Sequence, residues 1–249
     1  MIILSVDVEA TGLDKQNDRI IELGAVLYST GQKRVLESSG FLVQSDGVPI
    51  TQEITEITGV TQVAADRFGY SQEDAIQFLV ELAEQADAYV GHNVNRFDQP
   101  MLRNAAQRLS LALPERLWID TMTDIPGVKG EQLVTMCAKK GFVYDAHGAL
   151  ADSNAVVKLT SIYDSESPLT SYDKMVERAH CPLVVIQSHQ GRDKSENRAA
   201  RKAGFRWNGD LRIWWKAVKD MDVQALAESA PFDISRAGKD VSLEFLQED

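Results

Sequence analysis

The chain opens on Ile2-Ile3-Leu4-Ser5-Val6-Asp7-Val8-Glu9, an apolar run that ends in two carboxylates one residue apart. Side chains alternate across a strand, so Asp7 and Glu9 would project from one face, about 7 Å apart along the chain. Two like charges held this way either end the strand in solvent or share a counter-charge. A hard divalent cation, which takes one or two carboxylates and keeps its waters, fits the second case. The choice turns on whether further acids arrive at the ends of neighbouring elements.

Residues 19–28 and 35–43 read as two more strands joined through Ser29-Thr30-Gly31-Gln32, which predicts a three-stranded meander. Residues 50–58 have helical spacing and stop at Gly59. A stronger helix is predicted over 71–85, with Ser71 as N-cap, Asp74 three residues on, and an apolar stripe of Ile76, Leu79, Val80 and Ala83. Residues 88–91 form a short apolar strand that runs into His92-Asn93. A helix over 98–108 follows, with Pro100 in its first turn and Asp98 in the N-cap role. A strand at 118–122, a helix over 132–140 ended by Gly141, and a helix over 148–163 complete this part. Strands first, then strands alternating with helices, predict an α/β domain with a mixed sheet flanked by helices. Asp152 lies near the start of the last helix, and His147 immediately precedes it.

Charge is segregated along the 249 residues. The net charge is −11, yet residues 1–164 hold 13 Lys/Arg against 23 Asp/Glu, whereas 183–219 hold 9 against 3, a local +6. An acidic front with a basic island behind it implies two modules with different tasks. No run approaches the roughly 18 apolar residues of a membrane span, and the apolar start lacks the basic region of a secretion signal. Cys137 and Cys181 form no disulfide framework. These features lead to the expectation of a cytoplasmic protein with no membrane partner.

Three segments, Val6-Asp7-Val8-Glu9-Ala10-Thr11-Gly12-Leu13, then Gly91-His92-Asn93 with Phe97-Asp98, then His147-Gly148-Ala149-Leu150-Ala151-Asp152, together resemble the motifs of the DnaQ-like DEDDh 3′-5′ exonucleases. They occur in the family's order across residues 1–164. Two departures stand out: Ala10 replaces a frequent Thr, and three residues, Val94, Asn95 and Arg96, separate His-Asn from Phe-Asp, a spacing similar to that of Trex-like members. The resemblance implies a ribonuclease H-like exonuclease fold in the α/β class. It also implies two Mg2+ or Mn2+ ions held by Asp7, Glu9, Asp98 and Asp152, with Asp7 bridging both. His147 would be the general base, an imidazole being able to change charge near working pH. Leu13 becomes an apolar wedge against a terminal base, with ordinary core as its alternative, and Asn93 either orients the second motif or touches substrate. The implied reaction removes nucleoside 5′-monophosphates from a single-stranded 3′ end, with DNA favoured. The same chemistry on short RNA or signalling oligonucleotides, and a non-catalytic binding protein, are the alternatives.

Residues 165–180 read as a linker by composition, with a short helix possible near 173–179. A small basic and aromatic α+β module is expected over 181–237, followed by an acidic tail at 238–249. A strand at 183–187 leads to a helix starting at Asp193 and ended by Gly204, with Arg198 and Arg201 on one face. Asn208-Gly209 then predicts a hairpin turn, with Trp207 and Trp214 on one strand face and Ile213 and Trp215 on the other. Loosely, this region resembles small Gly-x-x-Trp…Trp modules appended to nucleases and other phage or bacterial enzymes. Aromatics between basic side chains suit base stacking with phosphate contacts, which makes Arg198, Arg201, Trp207 and Trp214 candidate substrate-binding residues. The competing expectation is that at least two of Trp207, Trp214 and Trp215 merely form the module's core.

Overall fold

A computed structural model describes residues 1–128, 130–188 and 194–238, without the side chains of residues 194–197. The chain forms two compact units, Met1–Ala179 and a second that starts at His180.

In the first unit, β1 (Ile2–Ala10) pairs antiparallel with β2 (Ile20–Ser29), and β2 with β3 (Arg34–Leu42). On its other edge β1 runs parallel to β4 (Ala88–Gly91), which runs parallel to β5 (Leu117–Asp120). The order β3-β2-β1-β4-β5 is a mixed sheet with β1 at its centre. Its helices are α1 (Gln52–Thr58), α2 (Gln62–Phe68), α3 (Gln72–Glu84), α4 (Asp98–Arg108), α5 (Leu133–Lys139), α6 (Ala149–Glu166) and α7 (Tyr172–His180), the last reaching the unit boundary. This is the mixed α/β architecture of the ribonuclease H-like exonuclease fold expected from sequence.

Alternation along β1 divides the core. Leu4, Val6, Val8 and Ala10 pack with Ile76 and Leu79 of α3 and Met101 and Leu102 of α4. Ile3, on the opposite face, packs with Val156 and Leu159 of α6 and Met136 of α5. Asp7 and Glu9 belong by parity to the Ile3 face, so they emerge on the side of the sheet that α6 covers. Ser5, the residue between, donates its hydroxyl to the Ser153 carbonyl at 2.9 Å, and Ser153 donates in turn to the Gly24 carbonyl at 3.1 Å. The sheet is notched to receive the helix: a Cβ at Gly24 would lie 2.1 Å from the Ala149 carbonyl oxygen, and one at Gly40 would lie 2.5 Å from the Leu150 Cβ. Glycine within a strand here marks a close backbone approach.

Several elements differ from expectation. Helix α2 has no counterpart in the sequence reading because only Ala65 is buried, so no apolar stripe announces it, although Thr61 caps it by accepting from the Ala64 N–H. Within the expected linker at 165–180 the short helix near 173–179 is present as α7, and the rest of the segment is structured as well. Helix α6 runs on to Glu166, a 3-10 turn covers Pro168–Thr170, and α7 seats Tyr172 and Met175 in the first unit's core. Thr160 Oγ1 lies 2.9 Å from the Tyr172 hydroxyl, so a polar pair performs a packing role that composition conceals. Asp98 is not an N-cap. Phe97 holds that position without a side-chain bond, and Asp98 turns its carboxylate toward β1.

The second unit is an antiparallel sheet in the order β7-β8-β6-β9, built from β6 (Leu183–Ser188), β7 (Arg206–Asn208), β8 (Ile213–Lys219) and β9 (Ser235–Arg236). Helices α8 (Lys194–Lys202) and α9 (Val223–Ser229) accompany it. Gly204, at φ 81, ends α8, and the Phe205 N–H returns to the Ala200 carbonyl. Phe205, Ala200, Ile186 and Val218 then form one small core, and Val185, Ile213 and Trp215 form another. The two-residue Asn-Gly turn is not formed. Asn208 pairs with Ile213 within the ladder, its Oδ1 accepts from the Leu211 N–H at 2.9 Å, and Arg212 takes the positive φ of 52°. The longer loop is still even, so Trp207 faces Trp214 as the parity argument requires. Of the acidic tail only Gly238 is described, and Asp193 at the expected helix start also lies outside the described residues. Among the described residues no helix is long and apolar enough to cross a membrane.

Candidate active site

Asp7, Glu9 and Asp152 each offer a ligand atom, and these atoms all lie within 4.8 Å of one another. Strand β1 supplies the first two from one face, and the notched docking of α6 brings the third. Asp152 is held from two sides: the Tyr144 hydroxyl donates to its Oδ1 at 2.5 Å, and the His147 backbone N–H donates to its Oδ2 at 2.9 Å. Asp98 stands outside this triad. Its Oδ1 accepts the Val8 N–H at 2.9 Å, a donor on β1 beyond the last parallel pair with β4 at Ser5. Asp98 nevertheless lines the same cleft, a cavity of about 410 Å³ that also contains Asn93, Phe97, Tyr144 and His147.

The electrostatics of this cleft are one-sided. Burial pushes Asp7 well above the ordinary carboxylate range, and Asp98, Asp152, Glu9 and Glu22 push it further. Glu9 is raised to about 8, first by burial and then by Glu22, Asp152 and Asp98. Asp98 is raised to about 7 by burial, against the opposing effect of the Val8 N–H. Among the described residues no lysine or arginine lines the cavity. A set of hard oxygen donors this close, without a protein cation, is chemically matched to divalent ions. Bound there, such ions supply the positive charge that polarises a phosphoryl oxygen and acidifies water.

Acids outside the expected set shape the site. Glu22 lies directly across the strand pair from Glu9, and the Ala149 N–H at the start of α6 opposes the rise in proton affinity that burial causes. A lone acid within an apolar strand was its sequence signal. Asp120, at the end of β5, is raised to about 6 by burial. Its Oδ1 accepts the N–H groups of Asn93 at 2.8 Å and Met122 at 2.9 Å, and its own N–H donates to Asp124. Asn93 adopts φ 58°, so Asp120 anchors the left-handed turn that leads from β4 toward Asp98. The neighbouring His92 places Nδ1 2.9 Å from the Thr121 hydroxyl, and burial lowers its proton affinity.

The expected base and the positions assigned to substrate are distributed differently. His147 is exposed, on a loop with φ 69° at the mouth of the cleft. Leu13 is 77% exposed, which removes the core alternative. Its turn is fixed by Asp18, which accepts the Thr11 hydroxyl at 2.7 Å and the Asp14 N–H at 2.8 Å. Asn93 lines the cleft. Arg198, Arg201, Trp207 and Trp214 belong to the second unit. Both arginines are exposed, Trp207 is 50% exposed, and Trp214 is half-buried against the Phe205 core. Trp215 is core, as expected for part of this group.

A family profile described as Exonuclease (RNase_T) matches residues 4–160. A PolC-type DNA polymerase III from Caldanaerobacter subterraneus subsp. tengcongensis is 34% identical over 116 residues, which is 47% of this chain and 8% of that protein. The corresponding protein of Thermotoga maritima is 35% identical over 117 residues, again 8% of its length, so this chain spans a small fraction of these curated relatives. Among solved structures, the nuclease domain of 3′hExo, a DEDDh family member bound to rAMP, superposes with a TM-score of 0.54 at 19% identity, covering 64% of this chain and 90% of that one. E. coli Exonuclease I in complex with a dT13 oligonucleotide gives 0.62 at 15% identity over 95% of this chain and 63% of that one.

Proposed function

This chain belongs to the exonuclease (RNase_T) family, and from that premise we propose that it hydrolyses phosphodiester bonds from the 3′ end of nucleic acid, releasing nucleoside 5′-monophosphates with the help of two Mg2+ or Mn2+ ions. The observation that carries the reading is the convergence of Asp7, Glu9 and Asp152 within 4.8 Å, uncompensated by any described cation and beside Asp98 and His147. Asp7, Glu9 and Asp152 hold the ions, and Asp98 completes the donor set directly or through water. His147, on its exposed loop, accepts the proton of the attacking water, and solvent at the cleft mouth carries it away. Tyr144 and the His147 N–H orient Asp152, while Asp120 sets the turn that presents Asp98. Leu13 wedges against the terminal base, and Asn93 contacts the substrate from the cleft wall.

DNA is the favoured polymer, supported by the likeness to PolC-type DNA polymerases, and short RNA is the second reading because the 3′hExo domain was solved with rAMP. Side-by-side digestion of 5′-labelled single- and double-stranded DNA and RNA tests both. Stepwise 3′ shortening in Mg2+ or Mn2+, absent in EDTA and in Asp7→Ala, is the expected result. Intact substrates, or an active Asp7→Ala, would overturn the proposal, and binding that is equal with and without EDTA but never leads to turnover would identify a pure binding protein.

A further inference from the structure

The second unit carries a surface that its own packing does not require. A cavity of about 630 Å³ is lined by Arg201, Phe205, Arg206, Trp207 and Trp214. Core duty in this unit falls to Trp215, 6% exposed, and to Phe205, 4% exposed, with Trp214 half-buried beside them. Trp207 is 50% exposed and leans on Trp214, with ring centroids 5.5 Å apart and planes at 57°. Its indole therefore has one supported side and one side open to the cavity. An exposed Trp face backed by a second Trp is an aromatic platform on a rigid strand.

Charge surrounds this platform with one sign. Arg201 lines the cavity from the last turn of α8, and Arg198, three residues earlier on the same helix face, continues the line. Both are exposed, and among the described residues no ion pair engages either. The Arg206 guanidinium is directed elsewhere, 5.9 Å from the Trp215 ring, so it stiffens the hairpin. Among the described residues no acid lines the cavity. An apolar protein partner would gain little from the Arg201 guanidinium beside the indole. A polyanion whose repeating unit includes a flat π face matches both features at once.

We propose that this face of the second unit holds single-stranded nucleic acid, with a base stacked on Trp207 against the Trp214 backing and backbone phosphates on Arg198 and Arg201. Stacking and phosphate contacts serve every sequence, so the site reads the polymer rather than its bases. The proposal goes beyond the exonuclease reading, because binding here requires neither the acidic cleft nor its ions.

The test uses the 249-residue chain carrying Asp7→Ala, in EDTA, with labelled oligo-dT and oligo-rU of about 15 nucleotides. Anisotropy titrations are run at several salt concentrations. Trp207→Ala should weaken binding about tenfold with an unchanged salt slope, and Trp207→Phe should restore most of the loss. Arg198→Gln with Arg201→Gln should reduce the slope of log K against log salt by about 0.7 for each phosphate contact removed, hence about 1.4 for the pair. The two polymers decide whether the sugar is read. Should Trp207→Ala fail to fold by circular dichroism, the exposed arginine pair and Trp207→Leu, which keeps bulk without a π face, carry the test. If these variants bind both polymers as tightly as the parent, with the same salt slope, the proposal is overturned and the face is left to a protein partner. Turnover by the chain with Asp7 intact is measured separately on trinucleotides. Its absence alongside Trp207-dependent binding would sink the exonuclease reading and leave this one standing.

Discussion

Replacing Glu9 with Gln should make the metal-free protein more stable and the metal-loaded protein less so. The reason lies in where Glu9 holds its proton. Its carboxyl is raised from the ordinary 4.5 to about 8 by burial and by Glu22, Asp152 and Asp98. Between those two values the native state keeps a proton that the unfolded chain has lost, so native stability falls as pH rises. Glutamine has no proton to lose. The stability advantage of Glu9→Gln is therefore near zero below about pH 4.5 and reaches its full size at about pH 8. At about 1.4 kcal/mol for each tenfold change in proton affinity, the ceiling is roughly 5 kcal/mol. Glu9 stands at the wall of an open cleft, where water relaxes around the charge, so about 2 kcal/mol is the expected gain. Part of that gain arises at Asp7, whose own carboxyl is pushed up by Glu9.

Thermal melts in EDTA from pH 4 to pH 9 read the difference, about 2–4 °C per kcal/mol for a chain of this size. Saturating Mg2+ should reverse the order, because an ion that binds only the native state adds about 2.7 kcal/mol at a hundredfold excess over its Kd. Parallel pH profiles for the two proteins in EDTA would refute the reasoning, since Glu9 would then titrate alike in the folded and unfolded chain. Equal Mg2+ stabilisation of both would show that Glu9 holds no ion.

Gly24→Ala places a Cβ 2.1 Å from a backbone oxygen of α6 and should lower stability by about 1–3 kcal/mol in urea melts, whereas Gly31→Ala, with nothing within 4 Å, should be silent. Tyr144→Phe removes the donor on Asp152 Oδ1 and should weaken Mn2+ binding about 10- to 100-fold, as read by paramagnetic resonance. His147→Asn tolerates the left-handed backbone and should lower kcat by about 10²–10⁴ while calorimetric Mn2+ affinity stays unchanged. Asp120→Asn keeps an oxygen for the Asn93 and Met122 N–H groups but sets its amide NH2 against the Asn95 N–H; a stability loss of about 1 kcal/mol and a reduced kcat at nearly constant KM are expected.

The elements that carry the candidate site were legible because periodicity and chemistry agree in them. β1 alternates cleanly, α3 and α4 have apolar stripes, and Asp7, Glu9, Asp98, His147 and Asp152 sit at element ends where motif spacing exposes them. The supporting residues were not legible, for a physical reason. Asp120 and Asp18 act by accepting backbone N–H groups, and a backbone donor leaves no mark in the sequence. Helix α2 buries a single alanine, so it lacks the apolar period that sequence reading relies on. The Asn208-Gly209 turn was misjudged because the asparagine side chain supplied the turn's hydrogen bond itself and freed the glycine from the positive φ.

Glu22 shows how the fold and the demand for cations are coupled. Its carboxylate is stabilised by the Ala149 N–H, one of the donors that the first turn of α6 leaves unsatisfied, and a negative charge at that end of a helix is favourable. That contact helps seat the start of α6 against the Gly24 notch, and α6 is the element that delivers Asp152. Yet Glu22 lies opposite Glu9 and is the largest charged contributor to its raised proton affinity. The residue that assembles the acidic site therefore also makes it unfavourable to leave charged and empty. Substituting Glu22 by Gln would relieve Glu9 but weaken the hold on α6, and these effects oppose one another in the metal-free protein. With ions bound the repulsion is neutralised and only the helix contact remains. The stabilisation contributed by Glu22 should thus grow as divalent ions are added, a dependence that a site built only to be a wet strand end would not show.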